Sequence, residues 1–145
     1  MLPKHGTKFT EKFQSFHGGG SNTGHCFLRG AGMNIGINYT VHAGSEFTEA
    51  HIEEMAKAPG RSALTIGKAK GDVSNTGGTL FVPCPTKDDP GSLVRIEAAY
   101  YRHPDDVQNS WKEDFRDLII SAARHVAQDV LKCEGSKELG ENRKN

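Results

Sequence analysis

A chain of 145 residues is long enough for one domain with a hydrophobic core and short for more than one. Its 18 lysines and arginines balance 18 aspartates and glutamates, so the chain lacks the positive charge that binding to nucleic-acid phosphates or to an anionic membrane favours. Only 35% of the residues are hydrophobic, and no apolar run is long enough to cross a bilayer as a helix.

The first 20 residues are predicted to form an N-terminal segment. Phe9, Phe13 and Phe16 follow the spacing of one helical face, which favours a short helix over residues 7–17, although a strand also fits the first two. Three consecutive glycines at residues 18–20 cannot continue either element without a large entropic cost. The segment is therefore predicted to be a short helix or strand followed by a glycine-rich loop.

Residues 33–42 are the clearest strand, because apolar and polar residues alternate along the whole stretch. A shorter strand at residues 26–28 precedes it. An apolar stripe predicts a helix of about a dozen residues after it, over residues 46–58, ended by Pro59 and Gly60.

Two weaker strands and a second long strand follow. Residues 62–69 and 79–82 are the weaker pair, and the second of them ends at prolines that cannot donate to a sheet ladder. Residues 87–91 combine aspartates, proline and glycine, which is typical of a turn. Residues 93–102 then alternate as residues 33–42 do, and the two long strands are expected to turn their apolar faces toward a common core.

The last element is predicted to be a long helix over residues 110–133. Ser110 and Glu113 have the spacing of a capping box at its start, and Gly135 follows its end. Its apolar residues form one wide stripe: Trp111, Phe115, Leu118, Ile119, Ala122, Val126 and Val130. The polar tail at residues 134–145 is predicted to be disordered.

These elements predict a single α+β domain over residues 21–133. It has an antiparallel sheet of four to five strands, with the long C-terminal helix and the shorter helix on one face. The segment Ser21–Gly24 recurs as Ser74–Gly77, and each copy precedes a short strand, a long strand and a helix. This order is compatible with a duplicated β-β-α unit, although short turn sequences also repeat by chance.

The three cysteines allow two oxidation states. Cys26, Cys84 and Cys133 could form one disulfide and leave one thiol, or all three could be reduced. Their small number favours the reduced state and a cytoplasmic location, and the N-terminus lacks the apolar core of a signal peptide. A secreted chain already trimmed of its signal peptide fits the sequence as well.

No metal or other cofactor is predicted. The seven histidines are scattered, and neither a CxxC nor an HExxH motif is present. His42 and the later Pro83-Cys84 resemble fragments of the zinc nucleoside-deaminase signature. However, Gly44 stands where that signature has its catalytic glutamate and Lys87 where it has its second cysteine, so zinc-dependent deamination is excluded.

The polar face of the two long strands is the predicted functional surface. It carries groups for acid–base chemistry, namely His42, His103 and Glu97, because histidine titrates near neutral pH and a glutamate beside it can tune that titration. It also carries groups suited to hydrogen bonding with a polar ligand: Asn38, Thr40, Arg95 and Tyr101. The alternative is that one face of an antiparallel sheet is simply solvated.

Three functions remain compatible with the sequence. The first is a small soluble module that binds a polar molecule or a protein partner, with a homodimer as one form of that interaction. The second is a small non-metal enzyme that uses His/Glu acid–base chemistry on the polar sheet face. The third is a secreted effector-like or toxin-like protein with one disulfide. Neither nucleic acid nor membrane is expected as a partner.

Overall fold

The computed structural model describes residues 23–30, 33–100 and 111–139. Six strands form one antiparallel sheet in the order β1-β2-β6-β5-β4-β3, which confirms the predicted α+β class and adds to the four or five strands expected. Its elements are β1 (Thr23–Gly30), β2 (Met33–His42), α1 (Glu49–Met55), β3 (Ser62–Ile66), β4 (Ala69–Val73), β5 (Gly77–Pro83), β6 (Leu93–Tyr100) and α2 (Trp111–Arg124).

Several sequence predictions lie outside the described residues. These are the N-terminal segment with its helix at 7–17, the first half of the Ser21–Gly24 motif, the capping residue Ser110, and the end of the tail from residue 140. Two predicted site residues, Tyr101 and His103, also lie there.

The core lies between the sheet and α2, and alternation along the long strands creates it. Alternate residues of β2 and β6 are buried in this core: Ile35, Ile37, Tyr39, Val94, Ile96 and Ala98. The apolar stripe of α2 packs against β5 and β6, and Phe115, Ile119 and Ala122 are fully buried. Both long strands therefore turn their apolar faces toward one helix, as the alternation predicts.

The helical chain continues beyond α2 with a wider turn. Residues 125–130 are π-helical, and the amide of Leu131 donates to the carbonyl of Val126 at 2.8 Å. Val126 and Ala127 stay buried through this turn. Val130, at the end of this turn, is exposed, and Cys133 beyond it is buried again.

The shorter helix α1 lies over the other face of the sheet, whereas the sequence pattern predicts both helices on one face. The ammonium group of Lys70 contacts the carboxylates of Glu49 and Glu53 in α1. Lys70 alternates with the core residue Ala69 in β4, so it points away from α2. The long helix already covers the core face, and α1, with Ile52 as its one buried residue, covers part of the opposite face.

The unpredicted strand is β4, which forms a hairpin with β3. A two-residue turn at Gly67 and Lys68 joins them, and Gly67 has a positive φ of 56°, as the tight hairpin turns require. The sequence predicts one strand over residues 62–69 and none after it, because β4 contains a lysine, a glycine and an aspartate and lacks a clear apolar alternation.

Substitution of Gly71 tests the packing of this added strand. A Cβ atom at Gly71 would overlap the carbonyl oxygen of Thr79 and lie 2.8 Å from the Cα of Leu80. Because both atoms belong to the β5 backbone, Gly71→Ala is expected to lower the free energy of unfolding by about 1–3 kcal/mol. Urea denaturation measures the loss. Gly91→Ala is the control, since its nearest neighbour would be 3.4 Å away, and an equal loss in the two variants would contradict the register of β4 and β5.

A disulfide joins Cys84, just after β5, to Cys133, with an S–S distance of 2.05 Å. The reduced state that the sequence favoured is therefore not the state of this structure. Cys84 and Cys133 are both buried, which places the bond within the core cluster.

The beginning of the predicted disordered tail is ordered against the domain. Ser136–Leu139 form a turn of 3-10 helix, and Leu139 is only 2% exposed. The guanidinium group of Arg124 donates from Nε to the carbonyl of Leu139 at 2.7 Å. Leu139 is the one large apolar residue of the tail, and its burial provides the stabilisation that the tail's composition did not suggest.

The strand order β1-β2-β6-β5 is the one that a duplicated β-β-α unit gives, but the positions of the two helices are not. A two-fold axis relating antiparallel β2 and β6 would keep α1 and α2 on the same face, but they lie on opposite faces. The second motif copy forms a turn before β5, in which the amide of Ser74 donates to the carbonyl of Gly77 at 2.8 Å. Local turn chemistry accounts for this copy.

Candidate functional site

Four predicted site residues form a compact group on the sheet face opposite α2. Asn38 lies directly across from Glu97, and Thr40 directly across from Arg95, so the four occupy adjacent cross-strand pairs of β2 and β6. Asn38 is exposed and the other three are half-buried. We refer to Asn38, Thr40, Arg95 and Glu97 as the polar platform.

The cation of the platform is held between an aromatic ring and a carboxylate. The Arg95 Cζ atom lies 5.7 Å from the centre of the Phe47 ring, and its Nε atom lies 3.3 Å from Oε1 of Glu97. The angle does not make that second contact a hydrogen bond, so this Nε has no hydrogen-bond partner among the described residues. A half-exposed ion pair of this kind contributes about 0–1 kcal/mol, which leaves Arg95 able to exchange Glu97 for another acceptor.

Phe47 forms a wall at one end of the platform. Its ring packs against Phe81 at 4.8 Å between centroids and meets the His42 ring edge-on at 4.9 Å. Phe81 alternates with the core residues of β5 and faces the same side as Arg95. The wall is therefore supported from beneath by the sheet and fixed beside the platform.

His42 is oriented by a carboxylate that is not among the predicted site residues. Its Nδ1 atom lies 2.6 Å from Oε2 of Glu46, and because a carboxylate only accepts, Nδ1 donates the proton. The side chain is 14% exposed. The second ring nitrogen, Nε2, is buried and has no hydrogen-bond partner among the described residues.

The contact with His42 lowers the pKa of the Glu46 carboxyl below its ordinary value of 4.5. The hydrogen bond from the imidazole is the largest cause, a hydrogen bond with the backbone at Ala43 adds to it, and the nearby charges of His42 and Arg95 act in the same direction. The ionised form of Glu46 is therefore the one that the folded chain stabilises.

The lowered pKa of Glu46 predicts how the stability of the folded chain depends on pH. Because the folded pKa of Glu46 is depressed, its contribution to stability is present above about pH 4.5 and is lost as the pH falls through the folded value. Glu46→Gln is expected to remove this contribution, so the variant's melting temperature should fall less than that of the unmodified chain between pH 5 and pH 3. Thermal melts across this range check it, with Glu54→Gln as the control, and parallel curves for Glu46→Gln and the unmodified chain would contradict the contact.

A network between two loops holds the end of β2 that carries His42. One carboxylate oxygen of Asp89 accepts from the amide of Gly44 at 2.9 Å, and the other accepts from the amide of Gly91 at 3.1 Å. The hydroxyl of Ser92 donates to the carbonyl of His42 at 3.3 Å. The turn at residues 87–91 therefore positions the segment that leads from His42 to Glu46.

The predicted acid–base residues do not all meet. Glu97 lies opposite Asn38, four residues along β2 from His42, which corresponds to about 13 Å. His103 and Tyr101 lie outside the described residues. Glu46 and Phe47 surround His42 instead. Glu46 lies in the short turn after β2, in which its amide donates to the carbonyl of Ala43 at 3.0 Å, and no periodic pattern in the sequence identifies it.

In the part of the chain that the structure describes, no three histidine, cysteine, aspartate or glutamate side chains gather as a metal site would require. No helix there is long and apolar enough to cross a membrane.

Comparison with family models, with curated proteins and with solved structures finds no match to this chain. The described residues form a six-stranded antiparallel α+β fold that contains the Cys84–Cys133 disulfide. Its function has to be argued from its own residues.

Proposed function

We propose that this chain is a binding module, and that the polar platform recognises a polar small molecule or a polar segment of a protein partner. The arrangement of Asn38, Thr40, Arg95 and Glu97 as adjacent cross-strand pairs carries the proposal. Arg95 donates, Glu97 accepts, and the amide and hydroxyl of the other two do both. The ligand that fits is one with acceptor and donor groups close together, such as an amino acid or a short peptide.

Two further observations support binding at this place. The platform rests on a rigid support, because the same strands bury their alternate residues under α2. Phe47 provides an apolar wall next to the polar groups, and small-molecule sites commonly combine an apolar wall with a few placed polar groups.

Acid–base catalysis is the second candidate, and the 2.6 Å contact between His42 and Glu46 is the observation that favours it. A carboxylate on Nδ1 leaves Nε2 as the nitrogen that would accept a proton from a substrate. However, Nε2 is buried and Glu97 is distant, so the proposed enzyme would need the site to open before His42 reached a substrate. Binding requires no such change.

The third alternative is a secreted protein, and the disulfide supports the location that it implies. Disulfides form and persist in oxidising compartments. A binding module with a buried Cys84–Cys133 bond is compatible with extracellular use, and effector-like or toxin-like activity would then act through the partner that the platform binds.

A thermal-shift screen with amino acids and dipeptides tests the binding proposal. A compound that binds the folded chain raises its free energy of unfolding by RT ln(1 + [L]/Kd), and therefore raises its melting temperature. We expect at least one compound to do so, and we expect Arg95→Gln and Glu97→Gln to lose the shift. Lys57→Gln is the matched control, because Lys57 is an exposed cation away from the platform and should leave the shift unchanged.

The outcome is decided by the comparison between variants. A screen without any stabilising compound would contradict recognition of this ligand class. A shift that persists in Arg95→Gln and Glu97→Gln would place the binding elsewhere on the protein.

A further inference from the structure

The strand β3 forms one edge of the sheet, and no described strand pairs with its outer side. Among the described strands it pairs with β4 alone. In a two-residue hairpin the residues flanking the turn, here Ile66 and Ala69, exchange both hydrogen bonds, and bonded pairs then alternate. Ala63 and Thr65 therefore direct their N–H and C=O groups outward, and a further strand could pair with them.

A groove of about 420 Å³ lies beside this edge, between β3 and the first turns of α2. Its sheet side includes Ser62, Leu64 and Val73, and its helix side includes Lys112 and Arg116, with Glu113 between them in sequence. The groove therefore combines an open strand, apolar side chains on its floor and a wall with two cations and one carboxylate.

The two cations are available to an incoming group. The ammonium of Lys112 donates to the hydroxyl of Ser62 at 3.0 Å, which directs it across the groove toward β3. Arg116 is 50% exposed, and the carboxylate of Glu113, which pairs with it, is 4.0 Å away and 75% exposed. Such a distant and solvated pair contributes about 0–1 kcal/mol and is easily exchanged.

We propose that an acidic extended segment of a partner protein adds to β3 as a seventh strand, with its carboxylates against Lys112 and Arg116. Main-chain hydrogen bonds to Ala63 and Thr65 would provide the affinity, and the charges would select the sequence. Successive side chains of a strand point to opposite faces, so acidic residues at every second position would all face α2. This surface is separated from the polar platform by β4 and β5, and the inference does not depend on the platform.

Charge distinguishes this partner from a second copy of the chain. Two copies joined through antiparallel β3 strands would be related by a two-fold axis normal to the sheet, so both α2 helices would lie on the same face. Lys112 and Arg116 of one copy would then approach those of the other. Repulsion between like charges at an interface disfavours this pairing, whereas an acidic strand meets the same cations favourably.

Fluorescence anisotropy with the full chain and two labelled peptides tests the proposal. One peptide alternates glutamate with valine, and the other alternates lysine with valine. The acidic peptide is expected to bind at least about tenfold more tightly, because the charges on the groove wall oppose the basic one. Lys112→Gln combined with Arg116→Gln is expected to weaken the acidic peptide about tenfold, with Lys57→Gln as the control.

Thr65→Pro tests the backbone contact itself. Proline removes the outward N–H of Thr65 and is tolerated on edge strands, so the fold should persist while peptide binding is lost. Circular dichroism checks the fold. If this variant does not fold, protection of the Ala63 and Thr65 amides from hydrogen exchange by the acidic peptide replaces it as the readout.

Several results would overturn the proposal. They are equal binding of the two peptides, undetectable binding of the acidic peptide at about 1 mM, and absence of amide protection at β3. A concentration-dependent dimer that Thr65→Pro dissociates would also overturn it, since a second copy would then occupy the edge. Sedimentation at two concentrations detects that dimer.

Discussion

Phe115→Ala is expected to lower the free energy of unfolding by about 3–5 kcal/mol. The Phe115 side chain is fully buried, and its ring meets the Tyr100 ring edge-on at 5.2 Å between centroids. Removing it costs the transfer free energy of the ring, leaves a cavity between α2 and the sheet, and ends the aromatic contact with β6. Urea denaturation followed by circular dichroism measures the change.

Val130→Ala is the matched control for this substitution. Val130 belongs to the same apolar stripe in the sequence, but its side chain is 39% exposed and lies near the end of the π-helical turn. Its replacement is expected to cost about 0.5–1 kcal/mol or less. Similar losses for Phe115→Ala and Val130→Ala would contradict the position of α2 on the sheet.

Removal of the disulfide is the second large expected effect. The bond between Cys84 and Cys133 spans a sequence separation of 49 residues, and closing a loop of that length restricts the unfolded chain. The chain-entropy relation gives a loss of about 4 kcal/mol when both cysteines are replaced by alanine. The double variant avoids an unpaired buried thiol, and denaturation of the unmodified and double-variant chains measures the difference.

Alkylation under denaturing conditions provides an independent check of the bond. With two of the three cysteines paired, mass spectrometry should find one labelled thiol without reductant and three after reduction. Three labelled thiols without reductant would contradict the disulfide. Cys26→Ala keeps the pair and is the control for the effect of losing a cysteine as such.

Much of the fold could be predicted from local patterns. The alternation in the sequence predicted strands at residues 33–42 and 93–102. The observed strands, at 33–42 and 93–100, nearly match these predicted bounds. The apolar stripe of the long helix correctly identified Phe115, Ile119, Ala122 and Val126 as core residues. These predictions succeed because periodic burial repeats over many residues and leaves a signal in every turn or strand.

The errors have physical reasons as well. Strand β4 lacks a clear pattern, because its charged residues are stabilised by partners distant in sequence: Lys70 by α1 and Asp72 by Arg61. The position of α1 depends on which face remains uncovered after α2 has packed, and a helix with one buried residue carries little information about this. Leu139 is a single apolar residue in a polar tail, and only its neighbours show that it is buried.

The residues of the candidate site also divide into those that the sequence predicted and those that it did not. The alternation assigned Asn38, Thr40, Arg95 and Glu97 to one face, and the register of β2 and β6 makes them neighbours. The partners of His42 are Glu46 and Phe47, which lie in the turn and the approach to α1 rather than on a strand. Side chains in a turn follow no period, so no pattern in the sequence pointed to them.

By itself the sequence determined the class of fold, the strands and helix with a sustained period, and the set of polar side chains on one sheet face, because alternation is a property of neighbouring residues. The tertiary structure alone decided the strand order, the face that α1 covers, the pairing of Cys84 with Cys133 and the contact between His42 and Glu46. Each of these depends on which distant segments meet, and that is settled by the packing of the whole core.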